Sequence, residues 1–214
     1  MNKILDTKIF NIVLILTITG EFVIPWLLKY FYPQYDSKKM VMSALGNPDS
    51  PVRYFYNVWL IWLGVFLLFT SIAFFYSNRY ISNSLSILIS LSIAIFAIGA
   101  GLLSGVFSVN ESKEVVTISS KIHGIGAAIG FMALLFFPLL NGMIAFKHKD
   151  MLQGVICIIS FILAIVFFIF FIMGGKENLK NTILSYEGIW QRLSLFSMYI
   201  PFIYIGISKL IPFN

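Results

Sequence analysis

Residues Gly99–Gly130 read GAGLLSGVFSVNESKEVVTISSKIHGIGAAIG. Two apolar segments meet here across a short polar loop. Each carries glycines four apart beside that loop: Gly101 and Gly105 before it, Gly126 and Gly130 after it. On a helix this spacing gathers small residues on one face and lets another backbone come close. Ser104 and Ser108 extend the first face, while His123 and Ala127 join the second at helical spacing. The stretch predicts a tight transmembrane hairpin packed through its glycines, with one imidazole at the loop end of the contact.

The rest of the chain fits a bilayer. Its 214 residues are 59% hydrophobic and 11% charged, with a mean hydropathy of +0.91. Soluble domains carry about 25% charged residues. Apolar runs long enough to cross hydrocarbon fall near residues 9–28, 54–76, 85–107, 122–146, 151–173 and 190–211. Backbone polar groups in lipid must be paired internally, so these runs are helices, and alternating ten-residue barrel strands are absent. The expected fold is all-α, a single six-helix transmembrane domain spanning 1–214. The first run follows Lys3 and Lys8 like a signal sequence, but its length and the lack of a small-residue cleavage site mark an uncleaved span.

The formal net charge of +6 is scattered among loops, which points to lipid headgroups and orientation and not to nucleic acid. Lys3, Lys8, Arg79, Lys147, Lys149 and Lys209 crowd into short segments on one side. Their density favours both termini inside and the long loops extracytoplasmic. Cys157 stands alone in an apolar run, excluding an intrachain disulfide and a cysteine metal site; it reads as a packing residue. In the first long loop, Tyr30, Phe31, Tyr32 and Tyr35 suit a headgroup belt, as do Trp26, Trp59 and Trp190 elsewhere. Ser50-Pro51 reads as a cap and first residue opening the second helix. Asn141-Gly142 suggests a local helix adjustment, and the fifth helix, rich in Ile and Phe, reads as the most lipid-exposed.

Polar residues distant in sequence share one depth at the long-loop side: Glu21, Ser43, Asn47, Asn57, Ser104, His123, Glu187, Gln191 and Arg192. Intramembrane ionisable groups face protein or water and find partners. A binding pocket formed by Glu21, Asn57, His123, Glu187, Gln191 and Arg192 is therefore expected. Arg192 is the favoured partner for Glu21, with Arg53 and protonated His123 as alternatives. The plain readings are an ion pair that fixes packing, a solvated histidine at a helix mouth, and glycines that serve packing alone. His123, Ser43 and Ser104 are weak catalytic candidates, with Glu21 or Glu187 as carboxylate. No G-x-S-x-G elbow, HExxH or dinucleotide fingerprint is present, and no metal or cofactor is expected.

SALGNPDSPVRYFYN, GAGLLSGVF, KIHGIGAAIGF and YEGIWQR, in this order, resemble the bacterial and archaeal membrane-protein family catalogued as domain of unknown function 998. The resemblance covers nearly the whole chain. It implies a six-helix membrane protein with matching positions at Ser43, Leu45, Gly46, Asn57, Gly101, Gly105, Phe107, His123, Gly124, Glu187 and Arg192. The family pattern pictures two adjacent histidines opening the fourth helix, where this chain has Ile122-His123. The plan is more distantly similar to eukaryotic autophagy-modulator and Sfk-type membrane proteins, which implies a lipid-organising role by analogy.

Three functions compete. The first is a non-enzymatic protein of a prokaryotic plasma membrane, whose extracytoplasmic pocket binds a lipid headgroup or amphiphile. The second is an intramembrane hydrolase or lipid-modifying enzyme using His123 with a serine and a carboxylate. The third is a small transporter, against which stand the chain's size and the lack of an inverted repeat. The balance leans away from an enzyme. Membrane lipids are the expected partners, and nothing in the sequence specifies an oligomeric state.

Overall fold

Six helices long and apolar enough to cross a membrane make up the framework of the computed structural model, which describes residues 4–110 and 116–211. They are α1 (Lys8–Leu28), α2 (Arg53–Asn78), α3 (Asn83–Val106), α4 (Ile118–Lys147), α5 (Met151–Gly174) and α6 (Glu187–Leu210). Among the described residues there is no strand. The molecule is an integral membrane protein with six spans. Lys3, counted in the charge bias, lies outside the described residues, as does part of the loop between α3 and α4.

Two helices start earlier than hydropathy alone suggests. Thr117 and Ser120 form a reciprocal capping box, so α4 begins at Ile118. The first turn of α6 starts at Glu187. Helix α2 starts at Arg53 rather than on a Ser50 cap, because the Ser50 hydroxyl instead accepts from Val52 N within a turn.

Helices adjacent in sequence pack together, and α6 closes the ring against α1. Aromatic rings fill the centre: Phe137 stacks on Phe202 at 4.0 Å, with Phe74 edge-on to both. Helix α5 is the least buried span, with 17% of its apolar window inside against 33–56% for the others, so it faces lipid as its composition suggests. Cys157 is fully buried. Asn141 and Gly142 lie in regular helix, where Asn141 Nδ2 donates to Cys157 Sγ and Gly142 admits the α5 backbone. The real break in α4 is at Phe136, and Pro138 opens the helix that resumes at Phe137.

The glycine faces of α3 and α4 do not meet as the hairpin picture has it. Residues 97–103 of α3 form a π-helical segment, and α3 is gripped from two sides. A Cβ on Gly101 would lie 2.6 Å from Gly64 Cα, and one on Gly105 would lie 2.9 Å from Asn57 O, so this face packs on α2. Gly126 and Gly130 pack instead on Gly99, Ala100 and Leu103 of α3. The spacing predicts close approach correctly; the partner is set by rotation about the helix, which the wider π turn changes.

Candidate functional site

The connection 29–52 folds back into the mouth of the bundle. It carries short helical turns at Lys29–Phe31 and Met42–Gly46, and Tyr32, Tyr35, Met42, Leu45 and Asn47 are buried within it. Tyr32 and Tyr35 thus leave the expected headgroup belt, while Tyr30 and Phe31 stay exposed. Gly46 and Gly188 make the insertion possible. A Cβ on Gly46 would collide with Asn57 Oδ1, and one on Gly188 would collide with Met40 O. We call this segment the plug.

Helix α6 fastens the plug. Gln191 Oε1 accepts from Met42 N at 2.8 Å, and Ile189 N donates to Lys38 O at 3.1 Å. The Arg192 guanidinium donates through Nη1 to Ser37 O (2.8 Å), Met40 O (3.4 Å) and Gly188 O (2.7 Å), and through Nη2 to Tyr35 Oη (2.5 Å). Burial raises the pKa of the Tyr35 phenol, and the positive charge of Arg192 partly offsets that.

Beneath the plug lies a cavity of about 40 Å³. Glu21, Ser43, Ser104, His123 and Gln191 line it, with Tyr56, Phe96 and Phe131 among the aromatic walls. One water needs about 10–15 Å³ of such space, so the cavity holds a few waters at most. Glu21 is 3% exposed and accepts a hydrogen bond from Trp59 Nε1 at 2.7 Å. Gly20 leaves room for that indole, since a Cβ there would lie 2.5 Å from it. Trp59 is therefore an inward hydrogen-bond donor and not a belt residue. His123 Nδ1 meets Phe107 O at 2.8 Å. A carbonyl can only accept, so Nδ1 carries the proton and a neutral imidazole keeps Nε2 as an acceptor.

The expected set divides. Glu21, His123 and Gln191 share the cavity with Ser43 and Ser104; Asn57, Glu187 and Arg192 are outside its lining. Glu187 is half-buried in the first turn of α6. Asn57 sits under the plug, and its Oδ1 is buried without a hydrogen-bond partner. The expected Glu21–Arg192 ion pair is absent, because the guanidinium is taken by plug carbonyls. Arg53, the alternative partner, donates instead through Nε to Ser108 Oγ at 3.2 Å. Ser104 Oγ donates to Gly99 O at 3.1 Å, so it does not address the imidazole. Among the described residues no group of three or more metal-ligating side chains occurs.

Sequence reasoning missed Trp59, Tyr56 and Tyr199. Tyr199 is fully buried and its hydroxyl has no hydrogen-bond partner. In an aromatic-rich apolar run, only a polar tip distinguishes such residues from core filler.

The family model described as "Protein of unknown function (DUF998)" matches residues 19–208. The chain belongs to the DUF998 family. That match begins midway along α1, leaving out its residues 8–18 and the last two residues of α6, and takes in the plug and every residue lining the cavity. No curated protein and no solved structure matches this DUF998 chain.

Proposed function

We propose that this DUF998 protein is a non-enzymatic membrane protein that binds an amphiphile by its polar head. The observation that carries the reading is the convergence of Glu21, His123 and Gln191 on one aromatic-walled cavity under a separately fastened plug. A carboxyl group and an imidazole Nε2 are acceptors, and Gln191 still has its amide donors because Met42 N occupies its carbonyl oxygen. This set suits a head that both donates and accepts hydrogen bonds, such as a hydroxyl or amide group. A cavity of about 40 Å³ is too small for such a head with its first methylenes, so binding requires the plug to lift. The apolar tail then lies among the helices in the leaflet at the plug end.

Native mass spectrometry of the purified protein tests the reading. Retained amphiphile is expected on the wild type and is expected to fall at least tenfold in Glu21→Gln and His123→Ala. Lipid-free wild type, or retention unchanged in both variants, overturns it.

One arrangement favours a second reading. Ser43, whose hydroxyl has no hydrogen-bond partner among the described residues, shares the cavity with His123 and Glu21, as an intramembrane hydrolase would need. A fluorophosphonate probe that labels wild type but not Ser43→Ala would favour this reading over simple binding.

The proposed setting is the plasma membrane of a prokaryote, with the plug extracytoplasmic. An impermeant thiol reagent on intact cells should label a cysteine at Asn181 and spare one at Lys149, both in a Cys157→Ala background. The reverse labelling overturns the orientation.

A further inference from the structure

A second groove opens on the lipid side of the bundle, between α1 and the start of α6. It encloses about 380 Å³ and is lined by Phe22, Val23, Pro25, Trp26, Lys29, Ser37 and Arg192. This volume falls within the range of small-molecule sites. Its floor is apolar, and Val23 and Trp26 are 43% and 53% exposed. Its plug end is cationic. Lys29 Nζ is held over the Trp26 and Tyr30 rings, 5.7 and 5.0 Å from their centroids, at the level where α1 leaves the membrane. Arg192 lines the opposite wall with its guanidinium anchored to plug carbonyls. The segment 29–40, KYFYPQYDSKKM, adds Lys38 and Lys39 against the single acid Asp36.

Apolar surface running along a transmembrane helix and ending in fixed cations at headgroup depth fits one occupant. We propose that an anionic phospholipid of the leaflet at the plug end docks here. Its phosphate lies between Lys29 and Arg192, and an acyl chain runs over Phe22, Val23 and Pro25. A zwitterionic lipid offers the same chain but no net charge to the cationic end. Each cation near an anionic lipid contributes about a fivefold gain in affinity. The inference rests on the membrane setting alone and does not depend on the cavity around Glu21.

The test titrates phosphatidylglycerol and phosphatidylcholine of matched chains onto delipidated protein and follows binding by native mass spectrometry. Phosphatidylglycerol is expected to bind at least tenfold more tightly. Lys29→Gln should weaken phosphatidylglycerol about fivefold and leave phosphatidylcholine unchanged. Val23→Trp, which fills the groove without altering charge, should weaken phosphatidylglycerol as well. Lys176→Gln, on a different loop, and Glu21→Gln, in the cavity, should do neither. Arg192→Ala is avoided as the primary variant because it also frees the plug. Equal affinity for the two lipids, or no effect of Lys29→Gln, overturns the proposal. Loss with Lys29→Gln but not with Val23→Trp overturns the groove and leaves a surface phosphate contact only. Weakening by Glu21→Gln alone would point to the cavity as the lipid site and overturn the groove.

Discussion

The two ends of the bundle handle polar groups in opposite ways. At the plug end, the long connection 29–52 covers a cavity of about 40 Å³, and its backbone amides and carbonyls bond to Gln191 and Arg192. At the other end the helices are joined by residues 79–82 and 148–150, and a larger cleft of about 280 Å³ remains. Asn78, Asn141, His148, Asp150 and Lys209 line that cleft. A connection of a few residues cannot reach across a helix bundle, so its polar groups stay with water. A long one can replace water with its own backbone. The difference shows that the plug end has the covered, desolvated surroundings in which hydrogen bonds and charges have their largest effect.

The largest effect expected is steric. A Cβ on Gly101 would meet the backbone of Gly64, which cannot move aside, whereas one on Gly154 at the cleft end would first meet the ring of Phe146. Gly101→Leu should cost about 3 kcal/mol, the upper range for overpacking. Gly154→Ala should cost under about 1 kcal/mol as the ring swings away. Thermal unfolding in detergent measures both. Similar losses would mean that the two ends are equally plastic.

Arg192→Ala comes next. It removes the donors that hold Ser37 O, Met40 O and Tyr35 Oη, at an expected cost of about 2 kcal/mol. Freed from α6, the plug should be cut by trypsin after Lys38 and Lys39 at a rate well above that of wild type. Arg192→Lys should recover only part of the stability, since an ammonium group cannot reproduce the fork. Unchanged proteolysis would show that burial of Met42 and Leu45 holds the plug without the guanidinium.

How far the sequence reaches can be judged from particular residues. The six spans follow from hydropathy because hydrocarbon thickness imposes length. Their starts err where the first turn is polar, as at Ile118 and Glu187. Glu21, Ser104, His123 and Gln191, grouped from the sequence by their place along the spans, line one cavity. Direction around the helix was not legible. Gly101 turned to α2 rather than α4 because a π segment intervenes. Arg192 turned to the plug rather than to Glu21 because an irregular loop has no periodicity from which its path can be read.

That last point makes a smaller effect informative. Glu21 and Arg192 make no ion pair, and each satisfies itself elsewhere: Glu21 with Trp59, Arg192 with plug carbonyls. A buried pair would cost about 3–5 kcal/mol when one partner is removed. Here Glu21→Gln keeps an oxygen to accept from Trp59 and should cost about 1 kcal/mol or less. A double-mutant cycle of Glu21→Gln with Arg192→Gln should show coupling under about 0.5 kcal/mol. Coupling of several kcal/mol would restore the direct pair.

The smallest effect is expected at the cleft end. Lys209 Nζ and Asp6 Oδ1 are 2.7 Å apart and join the last turn of α6 to the segment before α1. Among short polar contacts in the molecule this one looks strong by distance alone. Its side chains, however, are 45% and 47% exposed, so water screens the attraction and ordering two flexible groups offsets much of it. Such pairs contribute about 0.2–1 kcal/mol. Lys209→Ala should therefore cost about 0.5 kcal/mol or less, and the difference from wild type should shrink further in 1 M salt, where the screening length falls to about 3 Å. A salt-insensitive loss above about 1.5 kcal/mol would place this pair in a covered setting. The contrast between a desolvated plug end and a solvated cleft end would then fail at the residue chosen to represent the second.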